Sequence, residues 1–431
     1  MNVRKLLLGT ALVSLSTGLH ALEWQVSSAT TLNLGNIPSP PTLFQEELFG
    51  NLNHPFDTKG GGFEVSAHAW VGYPATAAAD FDTLNFKFVY QDPGTEVKQL
   101  TWTLGRYLLT EPTGLIVNQP VDGSALDFDL GGFGFRLAAG YTGLVMRSTT
   151  TLVLSAADQD TKQLLASPRF FGSVDSSLTF SGHTITFDAL AQQDFTPESK
   201  LAKEGSLFES GKGGRVDTQY LTLKADGPIA DRVFYTAFAT LGTGTTLSVL
   251  PSGVDGIYKY KPITAMLGGF EVSWFVPTFL SSAFSARAIF ASGDADASSA
   301  VEGNTKGNAT LFLPVNTTTL GTAFNPALSN LGYYELNGSV KPLSGESLVL
   351  GAKVLGFQRL VTGTVNAPGV LSNGPLWLGQ ELDVYASWQP YSDLQLMASV
   401  GAFLPTSGTY ASSTTGSGFQ YALTTGVNLS L

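Results

Sequence analysis

Acidic residues spaced two apart, with a bulky apolar residue between them, are the most distinctive chemistry-bearing feature of this sequence. Asp127 and Asp129 flank Phe128, and Glu381 and Asp383 flank Leu382. On an extended chain residues i and i+2 share a face, so each pair projects two carboxylates to one side and apolar neighbours to the other. Such pairs can filter ions along a wall or share a hard cation. The run Ser292-Gly293-Asp294-Ala295-Asp296 has cation-binding spacing too. It lacks the further ligands and terminal Glu of a helix-loop-helix calcium site, so a turn with solvated carboxylates is expected and no metal is. Hydrolytic chemistry has little to work with: past the first 21 residues there are only His54, His68 and His183, and no Ser motif accompanies them. No catalytic residue, enzyme activity or cofactor is expected.

The elements that carry these carboxylates must be two-faced. Charged residues are 13% of the 431-residue chain, about half the usual ~25% share of soluble domains. Hydrophobic residues reach 43%, yet mean hydropathy is only +0.13. Soluble enzymes are more charged, and bundles of membrane helices are more apolar. A barrel with a greasy outer wall and a lumen of Ser, Thr, Gly and Asn fits both values. The net charge of −11 argues against nucleic acid as a partner, and the absence of Cys removes disulfides and thiolate metal sites. Residues 1–21 read as a signal peptide: Arg4 and Lys5, an apolar run from Leu6 to Leu15, and Leu19-His20-Ala21 before the cut. No later apolar stretch approaches the ~18 residues of a membrane helix.

The tail shows the pattern most clearly. Phe419, Tyr421, Leu423, Thr425, Val427, Leu429 and Leu431 alternate with Gln420, Ala422, Thr424, Gly426, Asn428 and Ser430, a period of two long enough for a tilted membrane-spanning strand. Such an ending resembles the C-terminal signal read by the outer-membrane barrel assembly machinery, although that signal usually closes on Phe and this chain closes on Leu431. Upstream, Leu126, Phe128 and Leu130 oppose Asp127 and Asp129. Phe135 and Leu137 oppose Arg136, and Leu378, Leu382, Val384, Ala386 and Trp388 oppose Glu381, Asp383 and Tyr385. Because charge is costly against lipid, the polar side is assigned to the lumen. The charged residues expected to line it are Asp127, Asp129, Arg136, Asp175, Asp188, Lys224, Glu271, Arg287, Glu335, Lys353, Glu381 and Asp383. Arg106 falls on the apolar parity of Trp102 and Leu104, which calls for a bulge at Gly105 or a place at the rim. Trp102, Trp274, Trp377 and Trp388 are expected in interfacial girdles.

Short connections (131–132, 181–182, 227–231, 342–346, 390–393) alternate with long ones (145–168, 195–214, 243–260, 293–330, 362–375, 405–417). This is the rhythm of an all-β, transmembrane, antiparallel up-and-down barrel over residues 62–431 with about sixteen strands. Residues 22–61 supply either an extra hairpin, making eighteen, or a lumen segment. Either count leaves an aqueous channel, and 293–330 is the segment expected to fold into it.

Phrases such as Leu104-Gly105-Arg106, Gly140-Tyr141-Thr142-Gly143-Leu144, Phe312-Leu313-Pro314-Val315, Leu378-Gly379-Gln380-Glu381 and Gly401-Ala402-Phe403-Leu404-Pro405 resemble, in order and spacing over 97–431, the alginate-export family of outer-membrane porins. The resemblance implies a large barrel that passes hydrophilic solutes, oligosaccharides among them. The chain departs from that family in its lining, which is net negative and favours cations or neutral solutes over a polyanion. The expectation is an outer-membrane porin embedded in lipid and passing small hydrophilic solutes. The alternatives are a surface-interaction barrel whose long loops bind partners, and a transporter of hydrophobic ligands with residues 22–61 as its plug.

Overall fold

A computed structural model describes residues 23–37, 44–55, 62–73, 76–91, 97–155, 158, 163–207, 213–250, 256–343, 345, 347–411 and 418–430. The expected signal peptide and Leu431 lie outside them. The chain forms β1 (Glu23–Gly35), β2 (Phe44–Pro55), β3 (Gly62–Tyr73), β4 (Thr76–Gln91), β5 (Gln99–Thr110) and β6 (Asn118–Asp129). There follow β7 (Phe133–Tyr141), β8 (Arg169–Phe180), β9 (His183–Asp194), β10 (Asp217–Ala230), β11 (Val233–Leu250) and β12 (Ile257–Val276). The last are β13 (Ser282–Ala291), β14 (Leu331–Val340), β15 (Leu348–Gln358), β16 (Trp377–Tyr391), β17 (Leu394–Pro405) and β18 (Gln420–Ser430).

Each strand pairs antiparallel with its sequence neighbours, and β1 pairs with β18 from Ser27–Ser430 to Gly35–Ala422. The 18-stranded sheet is therefore a closed barrel with no free edge. β1 and β2 arise from 22–61, which brings the strand number to eighteen and places 23–35 and 44–55 in the wall.

Alternation decides which side chains face outward. On β16, Leu382 and Val384 are 50% and 52% exposed, while Glu381 and Asp383 are 2% and 5% exposed. The same division holds on β10, where Leu221 and Leu223 are exposed and Tyr220 and Thr222 buried. Exposed Leu, Phe, Val and Trp side chains recur around the ring, with Trp102, Trp274, Trp377 and Trp388 among them. An apolar belt of this extent is what a hydrocarbon surround requires. A few carboxylates near strand ends depart from the rule, Glu46 among them. Glu46 shares the outward parity of Phe44 and Leu48, three residues in from the end of β2, and accepts a hydrogen bond from Thr30 Oγ1 at 2.6 Å.

Four local readings change. The 243–260 stretch is mostly strand, because the Thr-rich end of β11 stays paired with β12 as far as Leu250–Ile257. β6 begins at Asn118, eight residues before Leu126, the first of its alternating apolar residues. Leu378 is fully buried rather than part of the outward stripe. The β15–β16 ladder passes from Phe357–Gly379 to Gln358–Trp377, so Leu378 is the extra residue of a bulge, and Gly379 takes the φ of +151° that the bend needs.

Arg106 is the fourth. β5 runs in register through Gly105, so no bulge turns Arg106 inward. It is the last residue of β5 to pair with β4, and beyond it the two strands part. There Arg106 binds Asp122 through Nε and an Nη (both 2.9 Å) and Asp80 at 2.7 Å. Residues 144–149 close the gap: Leu144 O accepts from Arg106, while Met146 N and Thr149 Oγ1 donate to Asp80.

The outward assignment makes a direct prediction. Val384→Arg, on the outward face of mid-β16, lowers folding stability in lipid vesicles by about 2–4 kcal/mol. Ser399→Arg, on the inward face of the adjacent strand, costs distinctly less. Denaturant titrations of the vesicle-inserted protein measure both.

Candidate functional site

The inner face is not an empty cylinder. Most of its buried apolar side chains form one cluster that joins the walls of β5–β18 to the long connections. The centre of that cluster is the β13–β14 connection, whose residues Leu311, Phe312, Leu313, Val315, Leu320, Ala323 and Phe324 are all buried.

This connection crosses the barrel. At one side, Glu381 accepts from the backbone N–H of Ala323 (2.6 Å) and Phe324 (2.8 Å). Asp383 accepts from Thr322 Oγ1 (3.0 Å) and Thr322 N (3.3 Å). The Phe324 ring stacks on Phe403 of β17 (4.3 Å, 10°) and meets Phe357 of β15 edge-on (4.9 Å, 90°). Gly401 permits this approach, since a Cβ there would sit 2.6 Å from both Asp383 Oδ1 and Thr322 Cβ. At the other side, Val315 N and Asn316 N donate to Ile116 O (2.9 and 3.1 Å). Asn316 Nδ2 donates to Gln119 Oε1 (2.8 Å) and Thr151 Oγ1 (2.7 Å), and Asn118 N to Asn316 Oδ1 (3.1 Å). Midway, Tyr220 donates its hydroxyl to Leu313 O, and the Tyr333 hydroxyl, which donates to Glu335, lies 3.2 Å from Leu320 O. In the ring of eighteen, β6 and β16 lie eight strands apart one way and ten the other. The 311–324 segment thus spans nearly the full diameter and constricts it.

The charged residues expected on the inner wall all lie on the inward parity, but in three different settings. Glu381 and Asp383 are capped by the crossing segment. Asp188, also buried, faces Asp175 directly across the β8–β9 ladder. The half-buried remainder forms two similar rows. Arg136 on β7 stands between Asp127 (3.5 Å) and, in register, Asp175 on its neighbouring strands. Arg287 on β13 stands between Glu271 (3.7 Å) and, in register, Glu335. Lys224 approaches Asp226 at 3.4 Å, and Lys353 lies 5.9 Å from the centre of the Tyr385 ring. Asp129 does not join Arg136; its Oδ1 accepts from Gly131 N and caps the 130–132 turn.

Two buried arginines hold other connections in place. Arg169, at the start of β8, pairs with Asp158 (2.9 Å) and Asp194 (3.4 Å). Arg359, just past β15, is fully buried and donates to the carbonyls of Gly363, Leu371 and Ser372. Burial pushes the Arg359 guanidinium below its usual range. The Ser292–Asp296 run closes the base of the crossing connection. Asp294 accepts from Thr310 N and Asn304 Nδ2, and Asp296 from Thr305 Oγ1. Burial raises the Asp294 carboxyl. Burial also works to raise Asp296, but the hydrogen bonds from Thr305 and Asp294 outweigh it and hold that carboxyl low. Among the described residues no group of three or more His, Cys, Asp or Glu is placed to hold a metal.

Alternation alone missed the aromatic anchors Tyr220, Tyr333, Phe357 and Phe403. Each is an aromatic on the polar parity of its strand, sharing a face with Lys224, Glu335, Lys353 or Ser399. That misfit is the signal by which they can be found.

No protein-family model matches the chain, and no curated protein does. Solved structures do. OpdL of Pseudomonas aeruginosa aligns over 95% of this chain and 98% of its own at 12% identity, with a TM-score of 0.59. The outer membrane protein OpdK of the same organism aligns over 96% and 100% at 11% identity, with a TM-score of 0.58. OccK2 (OpdF), solved in complex with glucuronate, aligns over 95% and 98% at 10% identity, with a TM-score of 0.55. At these identities the likeness is one of fold. It supports an outer-membrane-type barrel and not specifically the alginate-export variety.

The anchoring of the crossing segment can be measured amide by amide. Charge-assisted hydrogen bonds are worth about 1.5–3 kcal/mol each. In the double variant Glu381→Ala with Asp383→Ala, the Ala323 and Phe324 amides lose hydrogen-exchange protection by roughly tenfold or more, while amides in the β7–β8 ladder keep theirs.

Proposed function

We propose that this chain is an outer-membrane porin, a passive aqueous route for small hydrophilic solutes. Solutes are sieved at the 311–324 segment and sorted weakly by the charges of the wall. The observation that carries this reading is a closed barrel crossed by a tethered internal segment, a form suited to narrowing a passage. From Gly307 to Asn330 that connection contains no ionisable residue, so its own selection is by size. Charge selection falls to the wall. Arg136 and Arg287 each stand between two carboxylates, which leaves each row with one negative charge over. Asp127, Arg136, Asp175, Glu271, Arg287, Glu335 and Lys353 are therefore the pore-lining charges, with Asp129, Asp188, Lys224, Glu381 and Asp383 shaping the wall around them. Cations and neutral solutes are favoured over anions, which argues against the polyanionic cargo of the alginate-export family. Glucuronate belongs to the OccK2 complex and not to this reading.

Residues 1–21 serve as the signal peptide, β18 as the strand read by the barrel assembly machinery, and the outward belt as the contact with lipid. No step here needs a catalytic group. The plug that a hydrophobic-ligand transporter requires is missing from 44–55, which is wall. The connection a surface-interaction barrel would present is largely spent on internal packing.

Purified protein in planar lipid bilayers tests the proposal. Stable open steps are expected, with a reversal potential under a KCl gradient that shows cation preference. Asp127→Asn together with Glu271→Gln moves the permeability ratio toward one. Absence of steps, or preference for chloride, overturns the reading.

A further inference from the structure

One arc of the inner wall is unlike the rest. β16, β17, β18, β1, β2 and β3 contain neither Lys nor Arg, and within that arc β1–β3, with the adjoining β4, place no side chain in the buried cluster beneath the connections. The exposed residues Leu32, Leu48 and Val71 set the outward parity here, so Phe49, His68 and Trp70 point inward. Phe49 and His68 lie opposite each other in register and stack at 4.2 Å and 13°. Trp70 continues the strip, with its ring 4.8 Å from His68 at 37°. Carboxylates flank the strip: Glu47 Oε2 is 3.3 Å from His68 Nε2, and Asp82 Oδ1 is 3.9 Å from Nδ1. Asp82 reaches this position as the extra residue of a bulge between Ser66–Thr83 and Ala67–Phe81. Gln45 donates to Glu47 Oε1 at 2.5 Å.

Aromatic faces on a wetted wall gain nothing from water and much from a solute with an apolar face. The surrounding inward positions are mostly amides and hydroxyls, and the nearest cations already have carboxylate partners: Lys87 pairs with Glu64 and Arg106 with Asp80, both at 2.7 Å. We infer that Phe49, His68 and Trp70, with Glu47 and Asp82, form a binding track for neutral saccharides within the channel. A sugar ring offers a C–H face to the aromatic strip and hydroxyls that both donate and accept, which suits amides and carboxylates together. An anionic sugar meets Glu47 and Asp82, while the neighbouring Lys87 and Arg106 are each held by another carboxylate. An organic cation could also lie on these rings, but both carboxylates already face His68. The inference rests on the porin reading above and deepens it.

Interruption of single-channel current by added solute is the test. Maltotriose is expected to block open channels in a concentration-dependent way, and glucuronate to block far less. Trp70→Ala and Phe49→Ala each raise the half-blocking concentration of maltotriose roughly three- to tenfold. Trp377→Ala, on the outward face, leaves it unchanged. Open channels that maltotriose never interrupts overturn the inference while leaving the porin intact. So does block that survives both aromatic truncations, and so does block by arginine alone. Absence of channels overturns the porin reading and the track with it.

Discussion

In hydrocarbon a backbone amide has no water to bond, and each unpaired group costs several kcal/mol. An open sheet presents a row of such groups at each edge. The seam between β1 and β18, from Ser27–Ser430 to Gly35–Ala422, removes both edges at once, and the rest of the architecture depends on that closure. Once the sheet is a tube, every strand has two different surroundings, and successive side chains must satisfy them in turn. The outward Leu382 and Val384 beside the inward Glu381 and Asp383 express that division in four residues.

Closure creates a second problem, an interior too wide for wall side chains to fill. The 292–330 connection answers it by lying across the lumen. Its backbone N–H groups would be orphaned away from the wall, and Glu381 and Asp383 supply acceptors where Thr322, Ala323 and Phe324 need them. The carboxylates are themselves buried, which is unfavourable unless they are hydrogen-bonded, so anchor and anchored segment require each other. Residues that would filter ions on a bare wall become structural here because the segment covers them.

What remains open to solutes is an uneven surface. β6–β8 and β12–β14 carry rows in which one arginine stands between two acids. Such half-exposed pairs add little stability, roughly 0–1 kcal/mol each, and their consequence is for the field in the lumen. The arc from β18 to β3 has neither Lys nor Arg and carries the inward aromatic strip. On the proposed reading, the two regions divide recognition between charge and shape.

The tube was legible in the residues because period-two alternation is local: each strand reports its two surroundings through its own side chains, as the 419–431 tail shows. The inward parity of Asp127, Arg136, Glu271 and Asp383 followed from the same rule. Strand ends and bulges were less legible. The Thr-rich 243–250 stretch has no apolar stripe and stays extended only because β12 pairs with it, and a single inserted residue at Leu378 reverses parity without changing composition. Tertiary structure alone decided which carboxylates face water and which hold a chain. Glu381 and Asp127 are both acids flanking an apolar residue on a strand. They differ because the crossing segment lands on one and not on the other, and that choice depends on contacts between residues far apart in sequence, which no local pattern records.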